Sequence, residues 1–420
     1  MAVQSAPAPT SLPLVGIHVI EFSHMVMGPS CGMVLADLGA DVIKIEPAPA
    51  GDNTRRLTGP AIGFFPAFNR NKRSLCVDLK NQRGRALVQK LVEGADVVLE
   101  NFRPGAMDKL GLGYADLAKV NPRLIYCSCK GFLPGPYEHR AALDEIVQMM
   151  GGLAYMTGPP GQPLRVGSSV NDIMGGLFAT IAILAALRER DNTGNGSLVQ
   201  SGLFETNMVL MAQHMARAAI EQKEPPPFGD PKMEKPWPLY DVFNTADADA
   251  QVFVGVVTDT QWRSFCEAFG FSDFLNDPQL TTMQKLAKAR SRILPRVADA
   301  FGKLTKEELM ARCEKLGLPF APITRPSELF DDPHLQASGG LLPINLAHAH
   351  ARGGGARVAG LPGLPLSFRA ARFGLRCQPP RIGEHSAEIA RHAGLTEPEI
   401  SALIQDGTLA VPRASHVREA

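Results

Sequence analysis

From residue 16 onward the chain alternates short β-rich runs with helical runs, and no other feature limits its fold so tightly. "IHVIEF" (17–22) reads as a strand and "SCGMVLADLG" (30–39) as a helix. "DVIKIE" (41–46), "SLCVDL" (74–79), "DVVLEN" (96–101) and "LIYCSC" (124–129) continue the strands. Between them "GRALVQKLVEGA" (84–95) has apolar residues at 87, 88, 91 and 92, a helical spacing, and "YADLAKV" (114–120) is a short helix. Strands separated by helices predict a parallel, doubly wound α/β sheet, and nearly continuous apolar strands fit one covered on both faces.

Downstream the pattern turns helical: "LDEIVQMMGGLAYM" (143–156), the apolar run "IMGGLFATIAILAAL" (173–187), and roughly 203–222. Fifteen residues with two glycines are short for a membrane span and suit a buried core helix. "EPPPFGDPKMEKPWP" (224–238) has six prolines in fifteen residues and reads as a linker. Beyond it "YDVFNTADADAQVFVGVV" (240–257) predicts a hairpin, and helices to about 330 complete a smaller α+β domain. "GLLPINL" and "GLPLSF" read as two further strands, and "SAEIARHAGLTEPEISALIQDG" as a helical tail. The expected organisation is a disordered lead (1–15), a large Rossmann-like domain (16–223), a linker (224–239), a small α+β domain (240–330), a return linker (331–345), and a last part of the large domain (346–420).

A length of 420 residues allows more than one domain, and 45% hydrophobic residues supply a real core. The net charge of +1 predicts neither nucleic-acid binding nor a polybasic membrane anchor. Seven scattered cysteines without zinc-site spacing read as free thiols of a cytoplasmic protein. The first residues, "MAVQSAPAPTSLP", lack the basic and apolar regions of a secretory signal. No metal site is expected. His348 and His350, beside "RGGGAR", have no carboxylate or cysteine near them and read as a surface loop.

Ligands of such sheets bind beyond the carboxyl ends of the strands. The segments there are polar: "SHMVMGPS", "PAPAGDNTRR", "KNQRGR" and "FRPGAMDK". Lys or Arg stands at 55, 56, 72, 73, 80, 103 and 109, in or beside these loops. Neither a G-x-G-x-x-G after the first strand nor a G-x-x-x-x-G-K-S/T is present, which disfavours NAD, FAD and P-loop nucleotides. The basic residues suit a ligand with several phosphates, or merely a charged surface. Asp172, in "VGSSVNDIMGG" (166–176), precedes the apolar run. Locally Asn171-Asp172 reads as a helix N-cap.

"GPSCGMVLADLGADVIKIEPAPAGDNTR", "NRNKRSLCVDLK", "ADVVLENFRPGAMDKLGLGY", "NPRLIYCSCKGF" and "LAALRERDNTGNGSLVQSGLFET" together resemble the family III CoA-transferases. These matches run in order through residues 16–206. The resemblance implies a ring-shaped subunit, a Rossmann-like large domain with a smaller one, and an interlocked homodimer. It implies acyl-CoA and a carboxylic acid as substrates, CoA serving as substrate and no tightly bound cofactor. It also gives Asp172 a second role, as the nucleophile that carries CoA. For the CoA moiety the matching positions are Val26, Met27, Val77, Asp78, Leu79, Lys80, Asn101, Phe102, Arg103 and Lys109. His24, Arg73, Asp144, Gly175 and Gly176 are candidates for site support; those two glycines and Gly167 suit close approach of a substrate or of backbone.

The racemases of this family place His before the Asp in the segment matching "AALDEIV"; here Leu143 precedes Asp144, which argues against an α-methylacyl-CoA racemase. Formyl-CoA:oxalate transferases carry Gln at the position of Val26, aromatic residues at those of Leu57 and Leu143, and a glycine run where this chain has "FGDPKMEKPWPLYDV". A somewhat larger acceptor follows, a C4–C5 dicarboxylate with succinyl-CoA or a similar donor, its second carboxylate held by one of Arg55, Arg56, Arg73, Arg103 or Arg140. An oxalate-type transferase, a racemase and a non-catalytic CoA-binding protein are the alternatives.

Overall fold

The computed structural model describes residues 12–233, 235–346 and 357–412. His348, His350 and most of the expected N-terminal lead lie outside the described residues. Two compact units emerge, one of residues up to Phe228 and from Pro333 onward, the other Gly229–Asp332.

The larger unit is built on a seven-stranded sheet. Its strands are β1 (His18–Phe22), β2 (Asp41–Pro47), β3 (Lys72–Val77), β4 (Val97–Glu100), β5 (Ile125–Lys130), β6 (Leu198–Gly202) and β14 (Leu409–Ala410). The order is β14-β3-β2-β1-β4-β5-β6; every pairing is parallel except β14 with β3. The mostly parallel α/β sheet predicted from the strand–helix alternation is therefore present. β6 was not foreseen: "LVQSG" is half polar, and it joins the sheet through its backbone pairing with β5.

Helices cover both faces. They are α1 (Met27–Asp37), α2 (Phe64–Phe68), α3 (Gln82–Glu93), α4 (Tyr114–Val120), α5 (Asp144–Met150), α6 (Leu153–Thr157), α7 (Val170–Thr193) and α8 (Leu203–Glu221). Strand alternation sorts the core into two layers, because successive side chains point to opposite faces. Val19, Val42, Val97, Leu99, Ile125 and Cys127 pack with Leu35, Ala179 and Ile183 on the side of α1 and α7. Ile20, Phe22, Ile43, Leu75, Val98 and Tyr126 pack with Leu87, Leu117, Ile389 and Leu403 on the other.

The single helix expected over 143–156 is two. Gly151 and Gly152 break it: Gly152 takes a left-handed φ of 83°, and a Cβ at Gly151 would lie 1.7 Å from Asn207 Nδ2. α7 is long and apolar enough, by length and composition, to cross a membrane. One of its faces is instead core, through Ala179, Ile183, Ala186 and Leu187, and its last turns carry Arg188, Glu189 and Arg190.

The smaller unit holds an antiparallel sheet of β7 (Leu239–Asn244), β8 (Gln251–Val256) and β9 (Phe320–Pro322), so the expected hairpin forms. Helices α9 to α13 between Asp259 and Lys315 pack Trp262, Phe265, Ile293, Phe301 and Leu309 onto it. Back in the larger unit, β10 (Leu341–Asn345) pairs with β11 (Val358–Pro362). The expected strand "GLPLSF" contributes only Ser367–Phe368 (β12), which pairs with Ala371–Arg372 (β13).

Candidate active site

At the carboxyl ends of the strands, three loops are tied to one another. Asn101, just past β4, accepts the His24 N–H at 3.0 Å and donates to the His24 carbonyl at 2.8 Å. The His24 ring stacks on Phe102 with centroids 5.7 Å apart. Met25, at a left-handed φ of 62°, donates its N–H to Thr54 of the loop after β2. Behind the loops, Lys130 bridges Glu100 and the Phe102 carbonyl, fixing the β4 exit. Water excluded from around His24 holds its pKa below the ordinary imidazole value; Asp52 opposes this and Lys44 adds to it.

Three of the seven cations of the basic ring, Arg55, Lys72 and Arg73, belong to the framework. Arg55 is buried on Glu46 at 2.6 Å, with its guanidinium 3.6 Å from the Phe65 ring centre. Lys72 is buried on Glu21 at 2.9 Å, and Lys44 lies 3.0 Å from Asp52. Burial lowers the Lys72 pKa to about 8 despite Glu21. Arg73 is withdrawn from the site: second in β3, it sits at the amino-terminal edge of the sheet, bound to Asp41 and to Glu388. Arg55 and Arg73 are thus spent on buried or edge carboxylates rather than on a ligand. Lys80, Arg103 and Lys109 are exposed at the strand ends, as is Arg140, whose guanidinium lies over Tyr137.

The other expected CoA positions divide in the same way. Val26 and Met27 begin α1, where the first-turn amides of a helix lack intrahelical acceptors. The Val77 side chain is core, and Leu79 packs against the same layer. Asp78 turns the chain after β3: its N–H donates to Thr408 and its Oδ1 accepts the Lys80 N–H at 2.9 Å. Asn101 and Phe102 hold the His24 loop, as above.

α7 brings Asp172 to this end of the sheet. A Cβ at Gly175 would lie 2.7 Å from Met27 Cε; one at Gly176 would lie 2.0 Å from Ser30 Oγ and 2.6 Å from the Met27 carbonyl. The two glycines therefore admit α1, so that of the two approaches expected for them it is that of another chain segment, at Gly176 its backbone, that the structure holds. Asp172 is not the N-cap. Ser169 holds that position, with no side-chain cap hydrogen bond of its own, and Asp172 is the third helical residue. The cap comes from another helix: Asp144 Oδ1 accepts the N–H groups of Asn171 (2.8 Å) and Asp172 (3.2 Å). Gln148 donates to the other Asp144 oxygen and accepts the Val166 N–H at 2.8 Å, anchoring the loop before α7. Arg165 in that loop pairs with Glu145. Burial first, then Asp144 and Glu145, push the Asp172 pKa up to about 7, with Arg165 opposing.

Sequence reasoning missed Thr54, Lys130, Gln148 and Arg165. Only the four-residue spacing of Asp144 and Gln148 on one helix was available as a signal. Among the described residues no three His, Cys, Asp or Glu side chains converge as metal ligands, and all seven cysteines are free.

Comparison with known proteins places the chain among relatives of one family. A family profile described as CoA-transferase family III matches residues 14–386. The chain is 35% identical to a succinate–glutarate CoA-transferase of Agrobacterium fabrum, over 90% of this chain and 94% of that protein. It is 34% identical to an acetyl-CoA:oxalate CoA-transferase of Acetobacter aceti, over 81% and 88%. A crystal structure of a CaiB/BaiF family protein from Brucella suis superposes with a TM-score of 0.80 at 32% identity, covering 91% of this chain and 99% of that one.

Proposed function

The chain belongs to CoA-transferase family III, and within that family we propose that it moves CoA from succinyl-CoA or a similar donor to a C4–C5 dicarboxylate through Asp172. The observation that carries this reading is a half-buried carboxylate in the first turn of α7, beside α1 at the carboxyl end of the sheet.

The chemistry follows from the residue. An ionised Asp172 oxygen attacks the thioester carbonyl carbon; the C–S bond breaks, leaving a mixed anhydride and CoA thiolate. The thiolate attacks the aspartyl carbonyl, and the donor acid departs as a carboxylate. Asp172 then carries CoA as a thioester. The acceptor carboxylate reverses both steps and leaves as acyl-CoA. Overall one thioester is exchanged for another, with the anhydride a higher-energy intermediate between them, and covalent catalysis divides the transfer into easier steps. Each tetrahedral intermediate carries an oxyanion, which N–H donors such as those of a helix first turn suit. Water must be kept out, since both intermediates hydrolyse.

CoA is a substrate here, and no tightly bound cofactor takes part. Lys80, Arg103 and Lys109 are exposed where phosphates of CoA can reach them, with the Val26, Met27, Asn101 and Phe102 segments as the floor. Among the described residues Arg56, bonded to Asn53 and to the Ala50 and Gly51 carbonyls, and Arg103 and Arg140 have no carboxylate partner and are left for a second acceptor carboxylate, with Arg165, paired with Glu145, beside them. The Agrobacterium relative, named for succinate and glutarate, supports four- and five-carbon diacids. The Acetobacter relative, named for oxalate, supports a second reading in which the acceptor is the two-carbon diacid. Leu143, 59% exposed, stands where a racemase would need a base.

The subunit is further proposed to form the interlocked homodimer, in the cytoplasm. Ile181 (59% exposed), Met215 (57%) and Ile220 (82%) leave α7 and α8 with an apolar surface that a second copy would cover. Sedimentation at micromolar concentration reads a dimer; a monomer refutes the assembly.

Incubation with succinyl-CoA, followed by intact-mass and peptide mass spectrometry, tests the mechanism. CoA bound covalently to Asp172, absent in Asp172→Ala, is expected. A label on another residue, or CoA transfer by Asp172→Ala, overturns it. A panel of acceptors then separates glutarate-like acids from oxalate.

A further inference from the structure

The carboxylate nearest the start of α7 is not the nucleophile's own. Asp144 is 3% exposed and lies on α5, yet its Oδ1 takes two of the amides with which α7 begins. Gln148 holds its other oxygen. Three N–H groups donate to Asp144 and it donates to none, the pattern of an ionised carboxylate.

This arrangement reverses what a helix start normally does for an acidic residue in its first turn. Free N-terminal amides and the positive end of the helix dipole stabilise a nearby carboxylate. Here the amides of Asn171 and of Asp172 itself are already taken, and the group that takes them is negative. The other groups facing Asp172 are few. Glu145 on α5 is paired with Arg165, which leaves that cation only a weak counter-charge. α1 presents Met27, Ser30 and Cys31 toward this part of α7, and the buried Cys31 thiol stays protonated. Ser201 of β6 bonds the Gly175 carbonyl at 2.9 Å and carries no charge.

We propose that Asp144 is a positioning residue that fixes the start of α7 while denying Asp172 its amides and opposing its charge, so that the acylated nucleophile is favoured over the free carboxylate. The inference rests on Asp172 as the CoA-carrying residue. When Asp172 attacks a thioester, its negative charge leaves on CoA sulfur; when the thiolate returns, that charge departs with the donor acid. Asp172 is neutral in both covalent states, and its repulsion from Asp144 is relieved in each. Asp144 thereby acts on the free enzyme, which is ground-state destabilisation with a specific geometric source.

Asp144→Asn and Asp144→Ser test this: Asn keeps an oxygen at the same reach, able to cap the two amides, and both remove the charge. Single-turnover adduct formation with succinyl-CoA is followed from pH 5.5 to 9, together with the fraction of enzyme carrying CoA at equilibrium. Wild type is expected to gain reactivity with a midpoint near pH 7. Both variants should move that midpoint down by about one pH unit, and lower the ratio of adduct to free enzyme at pH 8 about tenfold. An unmoved midpoint and an unchanged ratio in a folded variant make Asp144 a cap alone and refute the proposal. Failure of both variants to fold also refutes it, since the charge would then be structural. If wild type itself is not labelled at Asp172, the nucleophile reading fails instead, and the two failures are distinguishable.

Discussion

Replacing Asp172 by Asn should stabilise the protein, increasingly so as the pH rises. The folded structure holds this carboxyl group at about 7, against 3.8 for an ordinary aspartate. Below pH 4 both folded and unfolded chains keep the proton, and the group contributes nothing. Between those values the unfolded chain releases its proton and the folded one does not, so stability falls as pH rises. Above pH 7 the penalty is complete. At full strength the gap, which already includes the opposing charge of Arg165, corresponds to about 4 kcal/mol; Asp172 is only half-buried, and screening by water reduces this to about 2 kcal/mol. Asn has the same shape and no charge, so its benefit at pH 8.5 should be roughly twice that at pH 5.5, the window being half crossed there. Urea unfolding of both proteins at the two pH values, with one denaturant slope, measures the difference. The reasoning is wrong if the benefit is flat across this range, or if Asn destabilises more at pH 8.5 than at 5.5.

Four further outcomes follow from the framework. Gly176→Ala pushes a methyl group to 2.0 Å from Ser30 Oγ and 2.6 Å from the Met27 carbonyl, so unfolding free energy should fall by about 1–3 kcal/mol. Gly175→Ala meets chiefly the flexible end of Met27 and should cost clearly less in the same assay. Glu21→Gln removes the buried partner of Lys72 and a neighbour of Lys44 at 3.6 Å; a loss of about 3–5 kcal/mol in chemical denaturation is expected. Arg103→Ala, at an exposed strand-end position, should leave the melting temperature within about a degree while weakening CoA at least about tenfold in calorimetry.

The sheet was legible because its signal is local and repeated. A strand such as "DVIKIE" announces itself by continuous burial, and the helix between two such strands fixes their parallel direction. β6 escaped because "LVQSG" offers only two apolar residues in a row, and β14 because two residues carry no period at all. The basic ring was overread for a different reason. Arg55, Lys72 and Arg73 look like ligand-binding cations until Glu46, Glu21 and Asp41 are placed beside them, and only the pairing of β1, β2 and β3 does that. The Asp172 cap failed likewise. Local rules favour Asn171-Asp172, whereas the acceptor comes from Asp144, 27 residues earlier and on another helix.

Helical geometry also separates what α7 does from what it leaves exposed. Asp172, Gly175, Gly176, Ala179, Thr180 and Ile183 follow one another at three- and four-residue steps, so they share one face, and that face is pressed on α1 and the sheet. Leu177, Ile181 and Leu184 lie at the same steps on the opposite face and are exposed. The proposed nucleophile is therefore held from within the subunit, by α1 below and by Asp144 at the helix start. A second copy covering the exposed face would contact the back of α7 and not the face that bears Asp172. Association and nucleophile placement are then carried by different residues of one helix. A substitution at Ile181 would weaken the proposed dimer without touching the contacts that set Asp172, and its effect on turnover would report what the second copy contributes to closing the site against water.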